Sequence, residues 1–350
     1  MYKYDQIVAP LLAWYDKNGR VLPWRSHPDP YYVWVSEIML QQTRVEAVKA
    51  YFARFTEALP TIEDLAKAPE EELLKLWEGL GYYNRVRNLQ AAAQTVMEMY
   101  DGKLPADFEA LLQLKGIGSY TAGAIASISY GIPVPAVDGN VLRVMKRLSG
   151  SYDDILKASV KKQMEKDLLP VIPERAGAFN QAIMDLGAMV CIPNGKPLCQ
   201  ECPLAFCCIA REKGIQEQLP VKAKKSKRKQ VKLTVLLLQY EDTFALQKRS
   251  EKGLLAGLWQ FPNLEGHFTK KHVEQTLEQE VISIKKLEPY VHIFTHIEWH
   301  MRGYWIRLQK PILPEGYTWV KKEDLQTSYA LPTAFRRYLD FVREEPTGIK

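Results

Sequence analysis

The hydrophobic pattern changes once along this chain, and that change constrains the fold more than any other feature. Up to about residue 215, apolar residues recur at spacings of three and four, as in "RVRNLQAAAQTVMEMY", which predicts amphipathic helices. Beyond residue 230, stretches such as "VKLTVLLLQY" favour strands, and "VHIFTHIEWHMRGYWIRL" alternates over much of its length. The pattern therefore predicts a multidomain protein with an all-α region, 1–219, followed by a separate α+β domain, 231–350.

A basic segment joins the two regions. The stretch "PVKAKKSKRKQVK", residues 220–232, holds seven Lys or Arg and no acid, and we interpret 220–230 as a solvated linker. Two interpretations stay open for it. The linker is either a spacer or a spacer that also contacts phosphates.

Composition bounds the class of protein. With 350 residues, 47% hydrophobic and 25% charged, the chain is large enough for two or three ordinary globular domains. It has no apolar run long enough to span a membrane, and "MYKYDQIVAP" lacks the pattern of a signal peptide, so a cytoplasmic location is expected. A net charge of +6 permits an anionic partner without requiring one.

All five cysteines lie between residues 191 and 208. Four of them follow the spacing C-x7-C-x2-C-x5-C, with Cys207 adjacent and spare: Cys191, Cys199, Cys202 and Cys208. Four closely spaced thiolates suit either zinc or an iron–sulfur cluster, and spacing alone does not choose between them. The site closes the helical region, which favours a structural role.

The stretch "LKGIGSYTAGA" predicts a helix, a Gly-x-Gly turn and a second helix within residues 108–130. Gly116 and Gly118 have no Cβ, so a phosphate can approach the backbone of the turn. The second helix begins near Ser119, and its unpaired N–H groups point toward the same place. Such a hairpin is suited to bind one nucleic-acid phosphate without reading sequence.

Two carboxylates are candidates for chemistry. Glu37 lies in the apolar stretch "VWVSEIML", where burial would raise its pKa and make it a competent proton donor. The alternative is a solvated helix residue. Asp138 precedes a helix that begins near Asn140, so it is either a simple N-cap or a functional carboxylate.

The hairpin, "VDGNVLRV" and the four-cysteine loop, in this order, resemble the helix-hairpin-helix DNA glycosylases similar to endonuclease III. The resemblance implies a [4Fe–4S] cluster on Cys191, Cys199, Cys202 and Cys208 and DNA contacts by the hairpin. One departure is the first gap of the loop, which is x7 here and usually x6 in the family.

The stretches "LPWRSHPDPYYVWVSEIMLQQTRVEAV" and "WEGLGYYNRVRNL" narrow this resemblance to adenine DNA glycosylases of the MutY type. Lyase-competent members of the superfamily carry a lysine where this chain has Tyr120, and tyrosine cannot form the required imine. The resemblance thus implies a monofunctional enzyme of base excision repair, which removes adenine mispaired with 8-oxoguanine or guanine in duplex DNA.

The resemblance also implies roles for individual residues. Glu37 would be the general acid, and Asp138 would stabilise the oxocarbenium ion or form a transient covalent intermediate with it, oriented by Tyr120 and Asn140. The family's intercalating elements match Gln42, Thr43, Leu80 and Tyr82. The adenine pocket matches Trp24, Arg25 and Gln181. Ordinary surface or core roles are the alternatives for these residues.

The stretch "GLLAGLWQFPN", residues 253–263, resembles the Nudix-like C-terminal domain of the same family. The helix predicted near 270–281 lacks the R-E-x-x-E-E core of a working Nudix hydrolase, so no pyrophosphatase activity is expected. A second helix is predicted near 333–344. The resemblance assigns lesion recognition to Phe294, Thr295 and His296, where the family carries Phe-Ser-His.

The histidines of this stretch are not expected to bind one metal ion together. A regular strand would separate His292, His296 and His300 by about 13 Å each, which excludes a shared metal. Two other functions remain as alternatives to the adenine glycosylase: an endonuclease III-like glycosylase/lyase and a non-enzymatic, zinc-containing DNA-binding module. We expect a monomer in the bacterial cytosol, associated with the nucleoid through DNA.

Overall fold

The computed structural model describes residues 2–223, 227–277, 280–311 and 315–344, without the side chain of Gln326. The chain forms two compact units. The first combines Met1–Ala68 with Asn84–Lys224, and the second combines Pro69–Tyr83 with Lys225–Lys350. Within the described ranges, no helix is long and apolar enough to cross a membrane.

The first unit is helical, as the sequence predicted. Its α-helices are α1 Val8–Asn18, α2 Pro23–Ser26, α3 Pro30–Leu40, α4 Val45–Ala58, α5 Ile62–Lys67, α7 Asn84–Met99, α8 Phe108–Gln113, α9 Ser119–Tyr130, α10 Gly139–Ser149, α11 Ala158–Leu168, α12 Ala176–Met189 and α13 Ile209–Glu212. Short 3-10 turns lie at Asp5–Ile7, Leu169–Val171 and Ala205–Cys207. The helix α6, Glu70–Leu76, belongs to the second unit.

Local sequence signals fix the helices that carry the site. Asp29 accepts a hydrogen bond from the backbone N–H of Tyr31 (2.8 Å) and so caps α3, whose first residue is Pro30. A large apolar core joins α1, α10 and α12, with Leu11 and Phe179 fully buried. These helices are held by burial of apolar surface, which leaves their ends to form the site.

The predicted hairpin is present between α8 and α9. Gly116 has a left-handed φ of +81°, and a Cβ there would lie 2.7 Å from the Cβ of Asn88, so only glycine fits. Gly118 is the N-cap of α9 and offers no side chain to its N–H groups. The free N–H groups of this helix end therefore remain available to a ligand.

The second unit is built on one mixed sheet. Its strands are β1 Lys229–Tyr240, β2 Thr243–Lys248, β3 Trp259–Gln260, β4 Asn263–Glu265, β5 Val281–Ile293, β6 Ile297–Leu308 and β7 Tyr317–Lys321. The order is β3-β2-β1-β6-β5, with β4 paired to β1 and β7 to β2. Strands β1 and β6 are parallel, and the other pairs are antiparallel. The helices are α14 Lys270–Thr276, α15 Asp324–Thr327 and α16 Arg336–Glu344, with a 3-10 turn at Thr333–Phe335.

Strand β1 is buried on both faces, which explains its nearly continuous apolar sequence. Val235 and Leu237 join one core with Tyr338 of α16. Leu236 and Leu238 point the other way, into a core that includes Val273 of α14. Helices thus cover both faces of the sheet, and the predicted α+β domain is confirmed.

Two local predictions about this unit were wrong. The stretch 291–308 is not one strand, because the chain reverses at Phe294–His296 between β5 and β6, and the N–H of Phe294 donates to the carbonyl of Ile297 (2.8 Å). As a result His292 pairs with Trp299, and His300 with Val291, so the spacing argument does not hold for them. Alternation continues on both sides of this tight turn, so the pattern alone did not show the break.

The helix predicted over 270–281 was also too long. Helix α14 ends at Thr276, residues 278–279 lie outside the described ranges, and β5 begins at Val281.

Candidate active site

A cleft of about 840 Å³ in the first unit brings all four predicted catalytic residues together. Glu37 from α3, Tyr120 from α9 and Asp138 and Asn140 from the start of α10 line it. Other lining residues include Arg20, Trp24, Arg25, Gln42, Thr43, Gly118, Lys161, Met184 and Lys222. The cleft therefore combines acidic groups at one point with basic groups around it.

Glu37 has the environment of a proton donor. Its side chain is buried, with 5% of the residue exposed, and burial raises its pKa to about 7. The Tyr120 hydroxyl donates to its Oε2 (2.5 Å) and, with the positive charge of Arg25, opposes this rise. The negative charge of Asp138 raises the pKa further. Near neutral pH this carboxyl is thus divided between its protonated and ionised forms.

Tyr120 is held as a neutral phenol. Burial, followed by the charges of Glu37 and Asp138, raises its pKa well above the usual value. Its hydroxyl also lies 3.9 Å from the sulfur of Met184. The residue therefore acts on Glu37 as a hydrogen-bond donor.

Asp138 is both an N-cap and a cleft carboxylate. Its Oδ1 accepts from the N–H of Val141 (2.7 Å), while its Oδ2 accepts from the side-chain amide of Asn140 (2.9 Å). Burial raises its pKa, and these hydrogen bonds oppose the rise by favouring the charged form. The two interpretations of Asp138 are therefore compatible, since one oxygen caps α10 while the carboxylate faces the cleft.

A residue that the sequence analysis missed connects this carboxylate to the cysteine loop. Arg143 donates through Nη1 to the side-chain oxygen of Asn140 (3.0 Å) and through Nε to the carbonyl of Cys191 (2.9 Å). Its Nη2 donates to the carbonyl of Gly187 (2.7 Å). The available signal was an arginine between apolar residues in "VLRVMKRL", where a buried charge is tolerated only if it has partners.

Arg25 is fixed by a second residue that the sequence analysis missed. The buried carboxylate of Asp185 accepts from Nη1 and Nη2 of Arg25 (2.8 and 3.0 Å), and Arg20 donates to it as well (2.8 Å). Burial raises the pKa of Asp185, but the bonds and charges of both arginines outweigh burial and hold it below the usual range. An aspartate inside the apolar helix "AIMDLGAM" was the signal for this buried pair.

Two of the three predicted adenine-pocket residues line the cleft, and the third does not. Trp24 and Arg25 line it, and Trp24 packs edge-on against Phe52 at 5.3 Å between ring centroids. Gln181 is buried on α12, where its Oε1 accepts from the hydroxyl of Tyr15 (2.6 Å). Gln181 is not among the residues that line the cleft.

The predicted DNA-binding residues are divided between several places. Gln42, with a left-handed φ of 63°, and Thr43 line the cleft beside Gly118. The Ser119 hydroxyl at the first turn of α9 donates to Glu165 (2.7 Å). Leu80 and Tyr82 lie in the second compact unit.

The four predicted cluster ligands share one cavity. Cys191, Cys199, Cys202 and Cys208 line it together with Arg147 and Arg211. The spare Cys207 does not line this cavity, and its thiol contacts the carbonyl of Leu204 instead. Among the described residues, no group of three or more His, Cys, Asp or Glu side chains is placed to hold a metal ion. The four thiols around this cavity are nevertheless a donor set that suits a metal centre, and Arg147 donates to the Cys191 sulfur (3.3 Å).

In the second unit, the predicted lesion-recognition residues form the turn between β5 and β6. We name Phe294, Thr295 and His296 the recognition turn. Phe294 packs against Trp299 at 4.9 Å between ring centroids. The hydroxyls of Thr295 and Tyr82 lie 2.6 Å apart, so a predicted intercalating residue and a predicted lesion contact are hydrogen-bonded to each other.

Comparison with known families identifies both regions of the chain. Residues 35–170 match the HhH-GPD superfamily of base excision DNA repair proteins, and residues 234–341 match the NUDIX domain. The human adenine DNA glycosylase is 35% identical over 94% of this chain and 73% of its own length. The adenine DNA glycosylase of Buchnera aphidicola subsp. Schizaphis graminum is 35% identical over 86% of each chain.

Solved structures show the same helical fold. A thermostable thymine-DNA glycosylase, at 30% identity, covers 59% of this chain and 96% of its own with a TM-score of 0.54. A non-covalent endonuclease III–DNA complex, at 28% identity, covers 62% of this chain and all of its own with a TM-score of 0.53.

Proposed function

Since the chain belongs to the adenine DNA glycosylase family, we propose that it excises adenine opposite 8-oxoguanine and does so without cutting the strand. The observation that carries the proposal is that one cleft holds both Glu37, with a pKa of about 7, and Asp138, the carboxylate that caps α10. Family membership also excludes the non-enzymatic alternative. The lyase alternative is disfavoured because Tyr120 supplies no amine.

In the proposed reaction, the adenine first leaves the duplex and enters the cleft. The family resemblance assigns to Gln42, Thr43, Leu80 and Tyr82 the role of keeping the gap in the stack open. The N–H groups at Gly118 and Ser119 bind a phosphate without reading sequence.

Glu37 then protonates adenine on its five-membered ring, which turns the base into a better leaving group. A carboxyl with a pKa of about 7 is matched to this task, because it is protonated often enough to donate and ionised often enough to accept a proton from water afterwards. As the glycosidic bond breaks, positive charge develops on the sugar. Asp138 stabilises that charge or bonds transiently to the sugar, with Asn140 fixing its orientation.

A [4Fe–4S] cluster is the cofactor that the cysteine cavity best fits. Cys191, Cys199, Cys202 and Cys208 would hold it, and the bound cluster would stabilise the loop that Arg143 and Arg147 contact. We expect serine variants of the four lining cysteines to lose iron and the thiolate-to-iron absorption band. Cys207→Ser is the matched control, since Cys207 lies outside the cavity, and it should keep both. Full iron content in those variants would contradict the assignment.

The deciding assay is single-turnover base release from duplexes that carry adenine opposite 8-oxoguanine or opposite guanine, with cytosine opposite 8-oxoguanine as the control. We expect adenine release from the first two, fastest opposite 8-oxoguanine, and none from the control. Glu37→Gln and Asp138→Asn should each abolish release while DNA binding persists. Near-normal release by either variant would refute the assigned chemistry.

Borohydride trapping tests whether the enzyme stops at base removal. We expect no efficient covalent capture on DNA, and efficient capture would refute the monofunctional assignment. The proposal further holds that the protein acts as a monomer in the cytosol, bound to the nucleoid. Light scattering of the free protein checks the first part.

A further inference from the structure

Residues 69–83 lie inside the sequence of the glycosylase region but belong to the compact unit that contains the sheet. This 69–83 segment comprises α6 and the loop that follows it, and the loop carries the predicted intercalating residue Tyr82. The recognition turn belongs to the same unit. The segment and the turn are held together at two points.

The first point is a charged pair that holds the backbone around Ala330. Lys75 and Glu78 form an ion pair (2.6 Å) with only 24% and 27% of their side chains exposed. The other oxygen of Glu78 accepts from the N–H of Leu331 (2.9 Å), and the Lys75 amine donates to the carbonyl of Tyr329 (3.1 Å). Each charge therefore binds its partner and a backbone group, and such charge-assisted bonds are stronger and more directional than those of an exposed pair.

From these backbone groups, contacts lead to the recognition turn. The N–H of Trp259 donates to the carbonyl of Ala330 (3.2 Å), and the Trp259 ring packs edge-on against Tyr329 (5.0 Å). Arg249 donates its backbone N–H to Leu258 (2.9 Å).

The guanidinium of Arg249 then lies over the ring of Trp299, 5.4 Å from its centroid. Trp299 in turn packs against Phe294 of the recognition turn. Packed aromatic rings of this kind have few alternative arrangements, so they fix the turn relative to residues 329–331.

The second point is the hydroxyl pair of Tyr82 and Thr295. Tyr82 has a left-handed φ of +48°, which is strained for a residue with a side chain, and it follows Gly79 and Gly81 with φ of +99° and +71°. Such a loop keeps one conformation only where its surroundings determine it.

We infer that Lys75 and Glu78 are positioning residues for lesion discrimination, because they hold the loop that carries Tyr82 in the position where Tyr82 contacts Thr295. This inference rests on the proposed preference for 8-oxoguanine. Neither residue contacts DNA in this scheme. They act by keeping Tyr82 and the recognition turn in one rigid arrangement, so that both contact the lesion at the same time.

The test compares single-turnover adenine release opposite 8-oxoguanine with release opposite guanine. The variants are Glu78→Gln, Lys75→Met and the double variant, all in the full chain. Glu78→Gln keeps an oxygen for the N–H of Leu331 but loses the charge. Glu72→Gln is the matched control, because Glu72 is exposed on α6, within the same 69–83 segment, and its variant loses the same charge.

We expect each single variant to lower the ratio of the two rates about fivefold to tenfold, as for coupling between two sites. The double variant should lower it no further, because the two residues act as one pair. The rate opposite guanine and the melting temperature should change little, and Glu72→Gln should match the wild type.

Two outcomes would overturn the inference: an unchanged ratio, or an equal fall in both rates, which indicates general structural damage. A wild-type enzyme that shows no preference for 8-oxoguanine would overturn the proposed specificity itself, and the inference with it.

Discussion

Replacing Glu37 by glutamine should stabilise the folded protein at alkaline pH while abolishing base release. Burial raises the pKa of this carboxyl from 4.5 to about 7. The folded state therefore holds the proton more tightly than the unfolded state does. That stabilisation is complete below pH 4.5 and is lost as the pH rises through about 7. Glutamine has the same shape, still accepts from Tyr120 and does not ionise.

The size of this effect on the unfolding free energy follows from the rise in the pKa of Glu37. At about 1.4 kcal/mol per pKa unit, the group costs the native state about 3 kcal/mol once it is ionised. Between about pH 5 and pH 8, the unfolding free energy of the variant should gain about 2.5 kcal/mol on that of the wild type. This corresponds to a relative rise in melting temperature of about 5–10 °C.

Thermal unfolding of both proteins across this pH range measures the difference directly, since all other titrating groups are shared. Glu98→Gln is the matched control, because Glu98 is exposed on α7 and its variant should follow the wild type at every pH. Parallel melting curves for wild type and Glu37→Gln would refute the reasoning. They would mean that Glu37 does not carry the raised pKa on which its role as an acid depends.

Three further predictions test neighbouring contacts. Tyr120→Phe removes a bond that lowers the pKa of Glu37, so the alkaline limb of the excision rate should move to higher pH; an unmoved limb contradicts this. Arg143→Gln breaks the link between Asn140 and the cysteine loop and should slow single-turnover excision at least about tenfold without weakening DNA binding, whereas an unchanged rate would remove the link from catalysis. Lys222 lines the cleft, so Lys222→Ala should lower the salt dependence of DNA binding by about one ion, and an unchanged slope would leave the linker a spacer.

Much of the fold was predictable because burial repeats along the sequence. The helical period of the first region and the glycines of the hairpin identify their elements without any tertiary information. The reversal at Phe294–His296 was not predictable from alternation, since a tight turn preserves the same alternation on either side. The position of such a turn is decided by how the two strands pair, and the sequence of one strand does not contain that information.

Part of the candidate site was likewise predictable from the sequence, and part was not. The surroundings of Glu37 were readable because its neighbours in sequence are also its neighbours in the helix. The partners of Arg25 and Arg143 were not, because Asp185 lies 160 residues beyond Arg25, and the carbonyl of Cys191, which accepts from Nε of Arg143, lies 48 residues beyond Arg143. Where long charged side chains of two helices contact each other, the only signal in the sequence is a charged residue at a position where an apolar residue is expected.

The division of the chain into units has a consequence for any attempt to separate them. The backbone passes between the units three times, after Ala68, Tyr83 and Lys224. Cutting the basic linker would therefore leave the 69–83 segment peptide-bonded at both ends to the glycosylase fragment, where it loses Tyr329, Leu331 and Thr295 as partners. Neither unit can be expressed as one continuous fragment. Domain swaps with relatives must exchange residues 69–83 along with the sheet, or they will join a helix to a surface it does not match.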